Sequence, residues 1–148
     1  MQDRIEKEIT VKAALATVWR AVTDYREFGA WFRVALDGPF AVGVVTTGKI
    51  METGHEGMPF WVVARVMQTP RFVFDWPCRA DAKPAEIDVP GVTTQVEFLL
   101  EPARTGTRIR LTEAGFAKLP PDLAVAKFRD NDGGWAIQMG RIKAHVDG

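Results

Sequence analysis

Histidine and cysteine are almost absent from this chain. Among its 148 residues stand two histidines, His55 and His145, and a single cysteine, Cys78. No three or four of these residues have metal-ligand spacing, so no metal site is expected. One cysteine cannot close an intramolecular disulfide, which fits a reducing compartment and a cytoplasmic location. No apolar run approaches the ~20 residues of a spanning helix, so no membrane insertion is expected. The opening "MQDRIEKEIT" is charged and has no apolar h-region, so no signal peptide is expected. Net charge is missing as well: nineteen basic residues balance nineteen acidic ones. That balance gives no global electrostatic reason to bind nucleic acid. Basic residues do interleave with aromatics in "KFRDNDGGW", but Asp130 and Asp132 cancel their charge. The phosphate-binding patterns G-x-x-x-x-G-K-[ST] and G-x-G-x-x-G and the nucleophile elbow G-x-S-x-G do not occur. No cofactor is expected.

What is present is an ordinary globular composition, 47% apolar and 26% charged. The length suits one domain over residues 1–148. A chain of this size buries about 68–70% of its unfolded surface and needs no staples.

"RIEKEITV" alternates Ile5, Lys7, Ile9 and Val11 against Arg4, Glu6, Glu8 and Thr10, the pattern of a half-buried strand. Leu15, Val18, Trp19 and Val22 then fall at helical spacing. Asp24 and Glu27 form a D-x-x-E cap for a second short helix, from Tyr25 to about Trp31. "LDGPFAVG" reads as a turn before a strand from about Val42 to Met51, and "TGHEGMP" as a polar loop.

Three further strands follow: "FWVVARVMQ", "RFVFDW" and "VTTQVEFLLEP". "TRIRLTEAGF" continues them after a Thr-Gly turn. The segment Pro77 to Gly91, with Pro at 77, 84 and 90, reads as a loop. The C-terminal segment is helical, with Phe128, Trp135, Met139, Ile142 and Val146 on one stripe. Gly133-Gly134 costs about 2 kcal/mol in a helix interior. Either the helix starts near Asn131–Asp132, or a break there has a packing reason. Short turns between the middle strands favour an antiparallel sheet, and the whole reads as an α+β fold.

The local wording resembles a known family. "VKAALATVWRAVTDYREFGAWF" is similar to the opening of the heat-shock-protein-90 ATPase activator family, within the START-like (SRPBCC) superfamily. "PRFVFDW", "TRIRLTEAGF" and "GGWAIQMGRIKAHV" resemble later segments of that family, in the same order. The resemblance implies a helix-grip fold. A curved antiparallel sheet of about six or seven strands would wrap a long C-terminal helix, with two short helices after the first strand and a cavity between sheet and helix. It implies no catalytic motif.

Within that architecture one strand draws notice. Phe72, Phe74 and Trp76 share a face and would look toward Phe128, Trp135 and Met139, beside Phe98 of the next strand. Trp61 lies on the preceding strand, and Trp31 and Phe32 end the second helix at the cavity entrance. These rings either fill a solid core or line a hollow. Glu113 shares alternation parity with Ile109 and Leu111. On an unbroken strand its carboxyl turns inward and could move a proton; if the strand ends at Thr112, it meets water. His55 lies in a loop that either reaches the cavity mouth or is solvated.

Three functions are compatible with this reading. The first is binding of a small hydrophobic or amphipathic ligand, such as a lipid, a sterol or an aromatic polyketide. The second is a cyclase- or hydratase-type enzyme using Glu113 or His55 as catalytic group. The third is co-chaperone-like stimulation of a chaperone ATPase, which the balanced charge disfavours. A homodimer is compatible with the class.

Overall fold

A computed structural model describes residues 3–148. The first strand, β1 (Arg4–Val11), buries Ile5 and Val11 and shows its charged residues to solvent, as its alternation requires. Helix α1 (Leu15–Thr23) buries Val18, Ala21 and Val22. Asp24 closes α1 and caps α2 (Tyr25–Phe32), its Oδ1 accepting from the backbone N–H groups of Arg26 and Glu27 at 2.9 and 3.1 Å. Glu27 does not complete the box: it pairs with Arg20 and His145 instead. The Trp31 indole donates to the Ala21 carbonyl at 2.8 Å, locking the two helices at a fixed angle.

Arg33 ends α2 in the left-handed region, at φ 64°. The chain then turns straight into a three-residue edge strand, β2 (Val34–Leu36), which periodicity in so short a run does not disclose. Gly29 makes that tight exit possible, because a Cβ there would lie 2.4 Å from the Val34 carbonyl oxygen. The next strand, β3 (Val45–Ile50), is shorter than the expected Val42–Met51, since Val42 and Val44 sit exposed in a turn.

Strands β4 (Pro59–Gln68), β5 (Arg71–Pro77), β6 (Thr93–Pro102) and β7 (Thr107–Ala114) complete one sheet of seven strands in the order β1-β7-β6-β5-β4-β3-β2. Every pairing between these strands is antiparallel. A register shift between Ala64 and Val66 bends β4 and adds to the sheet's curvature.

Helix α3 (Pro121–Asp147) fills the concave face with 27 residues, about 40 Å of helix. It runs unbroken through Gly133-Gly134, so neither a late start nor a break occurs there. A Cβ at Gly133 or Gly134 would meet nothing within 4 Å, so no packing constraint explains the pair. Trp135, Met139 and Ile142 bury against the sheet, and the length of that apolar stripe offsets the glycines' cost. Among the described residues, no helix is long and apolar enough to cross a membrane.

Candidate functional site

The three rings of β5 part company in the structure. Phe72 packs on Phe40, with centroids 5.1 Å apart, and Phe74 on Phe28 and Phe98 at 6.3 and 6.4 Å. Both are fully buried. Trp76 is only half-buried and stacks on Trp135 at 5.5 Å with 29° between planes. The middle of the grip is therefore solid core. Open space begins at Trp76, where β5 reaches the end of the sheet.

Two clefts adjoin that ring. The first, about 230 Å³, lies between the start of β4 (Phe60, Trp61), the end of β5 (Trp76) and the chain after it, and α3 residues Lys127 and Asn131. Its outer wall is the loop at 79–82, pinned where the Trp61 indole donates to the Ala82 carbonyl at 3.0 Å. That loop showed no periodicity, and nothing in the sequence marked it as a wall. The second cleft, about 180 Å³, is bounded by Gly134, Trp135 and Gln138 of α3. Phe32, Trp76 and Asn131 line both, so they form a shared partition. A larger concavity of about 740 Å³ beside Gly91 and Lys118 has no aromatic wall.

Behind the partition lies Glu113, fully buried on β7. The strand does not end at Thr112, so the parity shared with Ile109 and Leu111 holds and the carboxyl points inward. Its Oε1 accepts from the Trp135 indole at 2.8 Å and from Asn131 Nδ2 at 3.2 Å. Its Oε2 accepts from the Trp76 indole at 2.9 Å, Thr94 Oγ1 at 2.5 Å and Asn131 Nδ2 at 3.1 Å. Indole and amide N–H groups only donate, so this ring of partners matches an acceptor-only carboxylate. Among the described residues no cationic nitrogen lies within 4 Å of it. The neutral donors of three elements thus take the place of a counter-ion.

Cys78 is buried beside this network, with Sγ 3.5 Å from Thr94 Oγ1, and it lines the first cleft. Burial pushes its thiol above the ordinary range. The Thr94 hydrogen bond opposes that shift, the Glu113 charge adds to it and the Lys127 charge draws it down.

Of the residues the sequence singled out, Phe32, Trp61 and Trp76 line the first cleft, and Phe32, Trp76 and Trp135 line the second. Trp31, Phe72, Phe74, Phe98 and Met139 are buried in the core and line neither. Phe128 faces away from the β5 rings and packs on Phe116 at 5.2 Å, because α3 there lies over the turn after β7. His55 is exposed in the β3–β4 loop and lines neither cleft, and Glu113 lies one layer behind both. Asn131, Lys127 and Phe60 of the cleft and Thr94 of the Glu113 network are not among the expected site residues. A residue one turn before Trp135 on the same helix face was the available signal for Asn131.

The family profile described as "Activator of Hsp90 ATPase homolog 1-like protein" matches residues 12–147. No curated protein sequence matches significantly. Among solved structures, DynU16, a protein of the dynemicin biosynthetic locus, is 22% identical with a TM-score of 0.73. The match covers 99% of this chain but 48% of DynU16, so the chain spans about half of that protein's length. Protein MLL2253 of Mesorhizobium loti is 21% identical over 97% of this chain and 96% of its own, with a TM-score of 0.74. The Aha1 dimer of Colwellia psychrerythraea is 18% identical over 99% and 97%, with a TM-score of 0.68. At these identities the likeness is one of fold.

Proposed function

This chain belongs to the Activator of Hsp90 ATPase homolog 1-like family, and we propose that it binds a small ring-bearing ligand in the cleft beside Trp76. The observation that carries this reading is the wall of the 230 Å³ cleft, where Phe32, Phe60, Trp61 and Trp76 converge on the polar edge of Asn131. Apolar walls with a few fixed polar groups are the usual make-up of a small-molecule site. The volume equals about eight waters at ~30 Å³ each, room for a small ring system whose remainder extends into solvent. An open, wet cleft also escapes the cost of a dry void, about 24 cal/mol per Å³, which a sealed hollow would carry.

The Glu113 network supports the same reading by holding the partition still. Four donors fix the carboxylate, and the carboxylate in turn fixes Trp76, Trp135 and Asn131. Preorganised walls lower the ordering cost of binding. With every lone-pair direction occupied and no cleft surface of its own, Glu113 fits a positioning residue better than an acid or base.

A thermal-shift screen over lipids, sterols and aromatic polyketides tests the proposal, run on the wild type and on Ala80→Trp. Ala80 is exposed at the cleft wall, so an indole there fills the space without entering the core. Stabilisation of the wild type and none of Ala80→Trp is expected. Equal stabilisation of both, or of neither, rejects the cleft as the site. Homodimerisation is a separate proposal, motivated by the Colwellia psychrerythraea dimer, and light scattering on the purified chain decides it.

A further inference from the structure

The first cleft carries a charge bias that its apolar walls conceal. Two of its lining residues are cations, Arg79 and Lys127, and none is acidic. Among the described residues neither cation has a carboxylate within 4 Å, whereas Arg33 and Arg141 close on Glu52, and Arg65 on Asp75. The pairing of charges that neutralises much of this surface is thus not made at the cleft rim. Lys127 is half-buried there, and its charge is felt at the Cys78 thiol on the cleft floor. Asp130, one helix position before Asn131, borders the second cleft and not the first.

We infer that the first cleft takes a ring-bearing organic anion, its ring against Trp76 and Phe60 and its carboxylate or phenolate at Lys127 and Arg79. This inference rests on the ligand reading above and adds the chemical class. The orientation follows from the charges. Glu113 lies buried behind Trp76 and Asn131, hydrogen-bonded but without a cationic partner, so a negative group pushed to the depth of the cleft would be repelled by its charge. At the rim it meets two ammonium or guanidinium donors, which bind oxyanions more strongly than neutral donors do. The apolar ring then belongs inside, on the aromatic wall.

Matched pairs of probes test this on the full chain: benzoate with benzamide, and 2-naphthoate with 2-naphthamide. The readout is the indole N–H resonances of Trp61 and Trp76 in ¹⁵N-labelled protein. Each acid is expected to bind about tenfold more tightly than its amide, a margin typical of one charge-assisted hydrogen bond. The margin should shrink in about 0.5 M salt. Lys127→Met should remove most of it without weakening the amide, and Lys127→Arg should restore it. Arg79→Gln, an exposed change that threatens no core packing, should reduce it. Equal affinity of acid and amide at these two indoles overturns the inference and leaves the cleft as a site for neutral rings. No response of either indole to any probe removes both the inference and the reading beneath it.

Discussion

The Trp135 indole donates to the Glu113 carboxylate across 2.8 Å, and this bond ties the middle of α3 to the end of β7. Trp76 reaches the same carboxylate from β5, so one buried acid holds helix and sheet together at the end where the clefts open.

Glu113→Gln should therefore destabilise the fold. The amide replaces one acceptor oxygen with an NH₂ group that faces donors already in place. A loss of about 2–4 kcal/mol is expected from the unsatisfied buried groups. Urea unfolding of the wild type and the variant measures it. An unchanged midpoint would mean that the network contributes nothing.

Gly133→Ala and Gly140→Ala should stabilise the protein. Both positions are exposed on α3 with nothing within 4 Å of a new Cβ. Each change should add about 0.5–1 kcal/mol and raise Tm by about 2–4 °C. Gly134→Ala places its methyl in the second cleft, so calorimetry should show the same gain while any ligand of that cleft binds less well. A lower Tm for Gly133→Ala would reveal a role for the glycine that packing does not show.

Acid should weaken the tie between the chain ends of the grip. The backbone N–H of Lys12, the Lys143 ammonium and the Ala13 N–H hold the Asp147 carboxyl below its ordinary value of 3.8. Its contribution is present above 3.8 and is lost as pH falls through the lower folded value. Glu52 behaves likewise, held below 4.5 by Arg141 first and Arg33 second. Asp147→Asn should thus be less stable than wild type at neutral pH, with the gap closing under strong acid. Denaturation midpoints against pH give the comparison, and a gap independent of pH would rule out the linkage.

Cys78 should react slowly with alkylating agents in the native state. Burial raises its thiol above the ordinary 9.0, so little thiolate exists at neutral pH. The rate should climb beyond that pH, and a ligand in the first cleft should slow it further, because Cys78 forms part of the floor. Mass spectrometry after timed iodoacetamide exposure follows the reaction. Rapid labelling at pH 7 would contradict the packing described around the thiol.

Much of the architecture was legible because periodicity acts over neighbours in sequence. Alternation set which face of β5 carries the rings, and parity with Ile109 and Leu111 turned Glu113 inward. The Asp24 cap and the apolar stripe of α3 were equally local. Short β2 escaped notice, since three residues hold no period. The glycine pair pointed to a late helix start or a break, because helix propensity is local and the packing of the whole stripe overrides it.

By itself the sequence determined the order of the longer elements, the buried face of most of them and the resemblance to a family. Only the tertiary structure decided which rings are core and which are wall, for Phe72 and Phe74 are closed off by Phe28 and Phe40 from a different part of the chain. It alone gathered the donors around Glu113, which stand 18 to 37 positions away in sequence. Local pattern fixes which way a side chain faces. What it meets there depends on how distant segments pack, and no repeat along the chain records that.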